Sequence, residues 1–375
     1  MLTRVVASDS PIAAVLERDV AARASWVEID SAALRHNLRL VRALAGTARV
    51  YAVCKGGAYG FGAGWVARIA EEEGIDALAC GDPDDARAIR TAGCTLPVLL
   101  YGTVQAAALP ALAPLDVIVT AHDAASLATC LAGDLAFSLK FDVGLHRLGF
   151  GEDDLDDLLR VAHAHPAARV HGLYAHLTDL DIVASLATQT MRFEAMARRL
   201  EDTPWRGRER MVASSRALLR SRSLAFDAVN PGRLVYGLLE APWHEGIDCR
   251  SVLAAIKARI VALRTLPASG STPHENLAQR VAVIPFGFCD GYPRQPAGGT
   301  VLVRGNRVPI IGQRHSEHMM LDVSGVDDVA LGDEVVLYGT QGAERIGMHE
   351  LAAATGVPLI ELIPRLAAVP RRVIL

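Results

Sequence analysis

From residue 49 the chain repeats one grammar: a short apolar run, a turn, then a segment whose apolar residues recur at helical spacing. Strand-like runs fall near 49–54, 77–81, 97–101, 116–120, 136–142, 169–176, 210–213 and 225–229. Helix-like segments lie between them near 63–73, 83–92, 105–112, 122–132, 152–164 and 188–202. Strands that alternate with helices pair in parallel through right-handed crossovers. Eight of them in roughly 200 residues fit a closed (β/α)8 barrel of the TIM type better than an open doubly wound sheet. No G-x-G-x-x-G fingerprint supports the dinucleotide-binding version of the open sheet.

After about residue 245 the pattern changes. Val252–Leu266, Arg280–Phe286, Thr300–Val303, Val308–Ile311, Met319–Val323 and Glu334–Tyr338 read as strands separated by Gly, Pro and Asp turns, and only 347–355 looks helical. The Ser269–Asn276 stretch should be an exposed loop. Ahead of the barrel, Trp26-Val-Glu-Ile-Asp30 alternates like a strand, and Ser31 caps a helix through Arg42 with Leu34, Leu38 and Val41 on one face. The expected organisation is an extension over 1–24, a barrel over 25–245 and a smaller, mostly β domain over 246–375. The strand 26–30 is assignable to either domain.

Composition narrows the partners. A formal charge of −4 gives no electrostatic reason to expect nucleic acid or an anionic membrane. The short basic runs Arg206–Arg210 and Arg371–Arg372 read as solvated faces. The six cysteines show no metal-ligand spacing, and buried reduced thiols explain them, so no metal and a reducing cytoplasm are expected. Charges or prolines break every apolar stretch before membrane-spanning length, and Asp9, Glu17 and Asp19 interrupt any signal-peptide core.

In such a barrel, functional groups collect at the C-terminal ends of the strands. Those ends carry Lys55 and Tyr59, then Lys140, Asp142 and Arg147, then His176, Ser214 with Ser215, and finally Asn230-Pro-Gly232-Arg233. Loops after strands seven and eight are the usual phosphate cradle, where hydroxyls and backbone N–H groups face an anion. A lysine at one strand end opposite such a cradle is what pyridoxal phosphate requires. Each residue alone has a plainer reading: a snorkelling lysine, a core histidine, a helix cap, a turn glycine. Their shared rim favours the site.

These motifs resemble the alanine racemase family, from about Trp26 to the C-terminus. Val53-Cys-Lys55-Gly-Gly-Ala-Tyr59-Gly-Phe61-Gly62 is similar to the family's V-x-K-A-N-A-Y-G-H-G, and Leu139-Lys140-Phe-Asp142-Val-Gly144-Leu-His-Arg147-Leu-Gly-Phe150 to its L-K-[IV]-D-T-G-M-x-R-L-G-F. Val212-Ala-Ser214-Ser215 matches A-N-S, and Asn230-Pro-Gly232-Arg233-Leu-Val-Tyr236-Gly237 matches R-P-G-x-x-x-Y-G. The resemblance implies that Lys55 binds the cofactor as a Schiff base and that Tyr59 and Ser215 hold its phosphate. It further places Arg147 by the phenolic oxygen and the substrate carboxylate, and His176 by the ring. The Asn230–Tyr236 motif also belongs to the cofactor site. Lys140 matches a lysine that some members carbamylate. A homodimer sharing active sites, acting on an amino acid, is implied as well.

Departures from the family pattern cluster where the reaction outcome is decided. The family serves one face of the substrate with the lysine and the other with a tyrosine in G-Y-x-D-G-Y; here Phe288 stands at that tyrosine, and a phenyl ring carries no proton. Tyr292 is expected to be structural. Asn230 replaces an arginine at the pyridine nitrogen, His315-Ser316-Glu317 replaces S-M-D near the carboxylate, and Ala367 stands where a phosphate-binding tyrosine is expected. The reading that results is a racemase or epimerase for an amino acid other than alanine, with His315 or His318 as the second acid and Phe288, Ser316 and Glu317 facing substrate. Strand alternation would turn Cys289 away from Phe288. The competing readings are one-sided cofactor chemistry, such as decarboxylation, retro-aldol cleavage or elimination, and a cofactor-binding homologue without activity.

Overall fold

The computed structural model describes residues 23–374 apart from 103, 241, 244, 267–278, 296–297 and 367–368. All but the last two residues of the expected extension, the whole Ser269–Asn276 loop and Ala367 lie outside the described residues. The chain divides into two compact units. One comprises Leu34–Ala58 and Ala63–Arg250; the other takes in the chain up to Ala33, Tyr59–Gly62 and the chain from Ser251.

Strand β1 (Ser25–Asp30) leads directly into helix α1 (Ser31–Ala45). The cap differs from expectation. The Asp30 carboxylate accepts the Ala33 N–H at 2.8 Å, and the Ser31 hydroxyl donates instead to the Ile374 carbonyl at 2.9 Å. A carboxylate three residues ahead of an open N–H is the stronger acceptor.

The first unit is a closed parallel barrel. Strands β2 (Arg49–Val53), β3 (Ala77–Cys80), β4 (Val98–Leu100), β5 (Val117–Ala121), β6 (Phe137–Phe141), β7 (Val170–Ala175), β8 (Glu209–Ala213) and β9 (Ala228–Val229) neighbour one another in that order, and β9 returns to β2. Every residue of β3 to β6 is buried. That explains continuous apolar runs rather than alternation: strands covered on both faces have no polar side.

Helices α2 (Ala63–Glu72), α3 (Pro83–Thr91), α4 (Ala124–Ala132), α5 (Leu155–Ala164) and α6 (Val183–Glu201) connect the strands. The segment near 105–112 is a 3-10 helix, Ala106–Leu115, rather than an α-helix. Pro110 and Pro114 lack the N–H that α-type bonding needs. Helix α6 starts ahead of the 188–202 pattern because Ile182 and Val183, 58% and 68% exposed, blur its apolar face. After β8 and β9 come the short α7 (Ser215–Arg220) and the single turn α8 (Arg233–Tyr236).

The second unit is one sheet. It uses β10 (Leu253–Arg259), β11 (Ala262–Leu266), β12 (Gln279–Ile284), β13 (Thr300–Val303), β14 (Asn306–Ile311), β15 (Met319–Asp322), β16 (Glu334–Gln341), β17 (Glu344–Ile346) and β18 (Arg371–Ile374). The order is β11-β12-β15-β14-β13-β16-β10-β1-β18, with β17 on β16. Thus β1 pairs with β10 and β18 rather than with a barrel strand. The 252–266 run is two strands because pairing switches at Ile260, whose N–H bonds Asp333, while the Val261 N–H bonds Val283.

Helix α9 (Met348–Thr355) fits the sequence pattern, whereas α10 (Leu359–Arg365), opened by Pro358 and containing Pro364, was hidden by its prolines. Arg371 and Arg372 are not a solvated face. They lie in β18, with the Arg372 guanidinium 4.2 Å over the Trp26 ring and the Arg371 guanidinium bonded to the Gly60 carbonyl. Among the described residues no helix is long and apolar enough to cross a membrane.

Gly149 closes the loop after β6 at φ 129°, where a Cβ would lie 2.6 Å from the Asp142 nitrogen. Gly149→Ala is expected to cost about 2–4 kcal/mol of stability, because neither the backbone angle nor the contact relaxes cheaply. Urea unfolding of the variant checks this.

Candidate active site

Just past the end of β2, Lys55 opens a left-handed turn. Gly56, Gly57, Ala58 and Tyr59 have φ of 63°, 64°, 55° and 56°. Glycines adopt this conformation freely, but an L-residue in it costs about 1–2 kcal/mol. The compensation comes from α3: the buried Asp85 carboxylate accepts the N–H groups of Gly56 at 3.0 Å and Gly57 at 2.7 Å. Burial raises the Asp85 pKa against the pull of the amides of Gly57, Gly56 and Gly81. The Lys55 side chain is solvent-accessible. Even so, the protein around its amine, and then Arg147 and Arg233, hold its pKa below that of a free lysine. Across from it Gly81 leaves room, since a Cβ there would meet the Lys55 Cβ at 3.2 Å.

Lys140 and His176 follow from β6 and β7. The Lys140 amine is buried, 3.1 Å from His176 Nδ1 and 4.8 Å over the Tyr174 ring. Burial and then Arg147 lower its pKa to about 8, with Asp142 opposing. Burial, Lys140, Lys55 and Arg147 together push His176 down to about 3. The imidazole is therefore neutral. Its Nδ1 accepts from Lys140, which leaves the ring proton on Nε2.

Tyr174 and Tyr101 complete an aromatic wall, with the Tyr101 ring 5.5 Å from His176 and 5.8 Å from Tyr174. The Thr120 hydroxyl donates to the Leu100 carbonyl at 2.8 Å, so the Tyr174 hydroxyl donates to Thr120 at 2.9 Å. Arg147 rides on a loop whose N–H groups at Gly144, Leu145 and His146 all bond Asp142 Oδ1 at 3.0 Å. Its side chain is exposed.

At the ends of β8 and β9 the Ser215 hydroxyl oxygen accepts the N–H groups of Gly232 at 2.9 Å and Leu234 at 3.1 Å. Two amides and a hydroxyl thus converge where an anion cradle is expected. Ser214 makes no side-chain cap bond. Asn230 is buried; its amide N–H donates to the Tyr101 hydroxyl at 3.1 Å, and its carbonyl oxygen has no hydrogen-bond partner. Arg233 pairs with Glu240 at 3.7 Å. Tyr236 is fully buried, and its hydroxyl donates to the Val53 carbonyl at 2.8 Å. That hydroxyl holds the strand that carries Lys55.

The remaining sequence-selected residues belong to the other unit. Tyr59 is half-buried in the Tyr59–Gly62 stretch. Phe288–Asp290 is a 3-10 turn, so strand alternation does not apply there: Phe288 and Cys289 are both exposed, and Asp290 is buried. This turn is laced to the next, the Phe288 N–H bonding His315 at 3.1 Å and the Cys289 N–H bonding Ser316 at 2.8 Å. His315, Ser316, Glu317 and His318 are all exposed. Tyr292 is buried against Phe286, with the Arg314 guanidinium 4.8 Å from its ring, and is structural.

Sequence reasoning missed Asp85, Tyr101, Thr120 and Tyr174. Only Asp85 carried a signal, as an acid in the first turn of a helix packed beside the lysine loop. The described cysteines are all free, and no cluster able to hold a metal occurs among the described residues.

Two family models match this chain: the alanine racemase N-terminal domain over residues 29–240 and the alanine racemase C-terminal domain over residues 253–374. An alanine racemase of Thioalkalivibrio sulfidiphilus is 36% identical, over 91% of this chain and 96% of its own length. One from Sorangium cellulosum is 32% identical, over 94% and 98%. Among solved structures, alanine racemase from Bacillus anthracis with bound L-Ala-P superposes with a TM-score of 0.83 at 28% identity, covering 94% of this chain and 95% of that one. The enzyme from D-cycloserine-producing Streptomyces lavendulae gives 0.81 at 27%, covering 94% and 97%.

A closed parallel barrel with an amine and a serine hydroxyl on one rim, together with a separate β-sheet unit, is the two-part architecture of these racemases. The chain belongs to the alanine racemase family.

His176 provides a check on the electrostatics. Its imidazole should show no titration across roughly pH 5–8 in an NMR pH series of the protein. Replacing Lys140 by Met should move its pKa upward by removing the nearest cation.

Proposed function

We propose that this chain is a pyridoxal phosphate-dependent amino-acid racemase or epimerase whose substrate is an amino acid other than alanine. The observation that carries the reading is the Lys55 amine, accessible and lowered in pKa, on the same barrel rim as Ser215 and the amides of Gly232 and Leu234. The site fits the cofactor chemically: a cation-rich mouth suits its phosphate and phenolic oxygen, and Asn230 offers a buried acceptor without a partner.

The cofactor, when bound, supplies an electron sink that acidifies the substrate Cα–H. Lys55 anchors it and then takes or returns the Cα proton on one face, work for which a lowered pKa is suited. Ser215 donates its hydroxyl proton to the phosphate, the Gly232 and Leu234 amides orient that hydroxyl by donating to its oxygen, and the Tyr59 hydroxyl adds a further donor, with Ser214 and Gly232 beside them. Arg147 binds the substrate carboxylate. Neutral His176 lines the ring without adding charge. Arg233 and Tyr236 act through Lys55, one by its charge and one by holding β2.

Lys140, with a pKa near 8, keeps a neutral fraction able to take up carbon dioxide, and the resulting carbamate would brace Arg147. On the opposite face Phe288 carries no proton, so His315 or His318 serves as the second acid, and Ser316 and Glu317 read the substrate. The assembly is a homodimer, and free cysteines suit a reducing cytoplasm.

The absent proton at Phe288 also favours a second reading, one-sided chemistry with loss of the carboxylate or side chain. Solvent deuterium incorporation at Cα separates the two across a panel of amino acids. Inversion with exchange supports racemisation. Retention with exchange indicates Lys55 working alone, and a product lacking a substituent indicates the second reading. Protein that binds no cofactor, or binds it and exchanges nothing, would sink both.

Lys55→Ala should abolish the bound cofactor's visible absorbance and all exchange. Phe288→Tyr should raise alanine racemisation on the order of 10²-fold, the usual worth of a placed proton donor.

A further inference from the structure

Asn230 bears on the protonation state of the bound cofactor, a matter that rests on the cofactor reading proposed for this site. Its side chain is 3% exposed, yet its carbonyl oxygen has no hydrogen-bond partner. The amide N–H does not share this fate, because it donates to the Tyr101 hydroxyl at 3.1 Å. An acceptor left unpaired in the interior costs about 1–3 kcal/mol, so a ligand that supplies a donor recovers that cost. Asn230 directly succeeds β9, at the C-terminal end of the barrel, where a ligand would enter.

Pyridoxal phosphate presents few polar groups to choose from. Its phosphate and its phenolic oxygen are anionic acceptors and would repel a carbonyl oxygen. Its ring nitrogen is an acceptor when neutral and a donor when protonated. Only the protonated nitrogen satisfies the Asn230 oxygen. We infer that this protein holds the cofactor with its ring nitrogen protonated, the N–H donating to Asn230 Oδ1.

The consequence is chemical. A pyridinium withdraws electrons more strongly than a neutral pyridine, so the carbanion left after Lys55 removes the Cα proton is longer-lived. A longer-lived carbanion tolerates a slower second proton transfer, which suits the proposed reading, in which Phe288 supplies no proton. The reverse orientation, with Tyr101 donating to the amide oxygen, would turn the NH2 outward and demand a neutral nitrogen. These two states are distinguishable.

The test is nitrogen-15 NMR of the full protein reconstituted with ring-labelled cofactor, read beside its visible absorbance. The expected result is a ring resonance at the pyridinium position in the wild type. Asn230→Asp should keep it there, while Asn230→Leu and Asn230→Arg should move it to the neutral position. A neutral resonance in the wild type overturns the inference while the absorbance, lost in Lys55→Ala, leaves the cofactor reading standing. A pyridinium resonance that persists in the correctly folded Leu and Arg variants also overturns it, since another group would then hold the proton, such as a donor–acceptor pair on the substrate side. Failure of the wild type to take up cofactor overturns both readings.

Discussion

The barrel closes through a two-residue pair, and the site is built on that closure. Strand β9 contributes only the partners Arg49↔Ala228 and Val50↔Val229 to β2. Two further bonds extend the seam: the Val53 N–H to the Pro231 carbonyl at 3.1 Å, and the Tyr236 hydroxyl to the Val53 carbonyl at 2.8 Å. At the other end of the strands, Glu209 accepts from Arg49 at 2.9 Å and from the Tyr51 hydroxyl at 2.5 Å, with His171 2.8 Å from the same hydroxyl. Lys55 and Asn230 leave the barrel on either side of this seam. Their spacing is therefore fixed by a short ladder reinforced by side chains, with a half-buried polar network bracing the opposite end of the strands.

The mouth of the barrel is biased toward cations. Beyond burial, Arg147 and Arg233 lower the proton affinity of Lys55, Arg147 lowers that of Lys140, and Lys140, Lys55 and Arg147 lower that of His176. The nearby carboxylates offset this field only in part: Asp142 opposes the effect of Arg147 on Lys140 while it holds the Arg147 loop, and Asp85 holds the lysine turn. Those acids thus work as local scaffolding while leaving a positive potential for an anionic ligand. A dianionic phosphate and a substrate carboxylate are the natural complements.

Much of the fold was legible because a parallel barrel buries both faces of its strands, and buried strands write themselves as uninterrupted apolar runs. The lapses share a cause as well. Prolines concealed α10 and turned 106–115 into a 3-10 helix, and charged residues concealed β18, whose arginines are occupied by an indole ring and a backbone carbonyl. For the site, motif residues such as Lys55, Arg147 and Ser215 stood out by spacing. Asp85, Thr120, Tyr101 and Tyr174 did not, since their partners lie on other strands and helices.

The sequence by itself determined the architecture, the family and the amine at residue 55, because periodicity and ordered motifs are local properties of a chain. Only the tertiary structure decided what that amine experiences. The left-handed turn clamped by Asp85, the neutral tautomer of His176 and the unpaired oxygen of Asn230 each depend on groups distant in sequence. Proton affinities and unmet hydrogen bonds are set by neighbours in space, and folding alone supplies those neighbours.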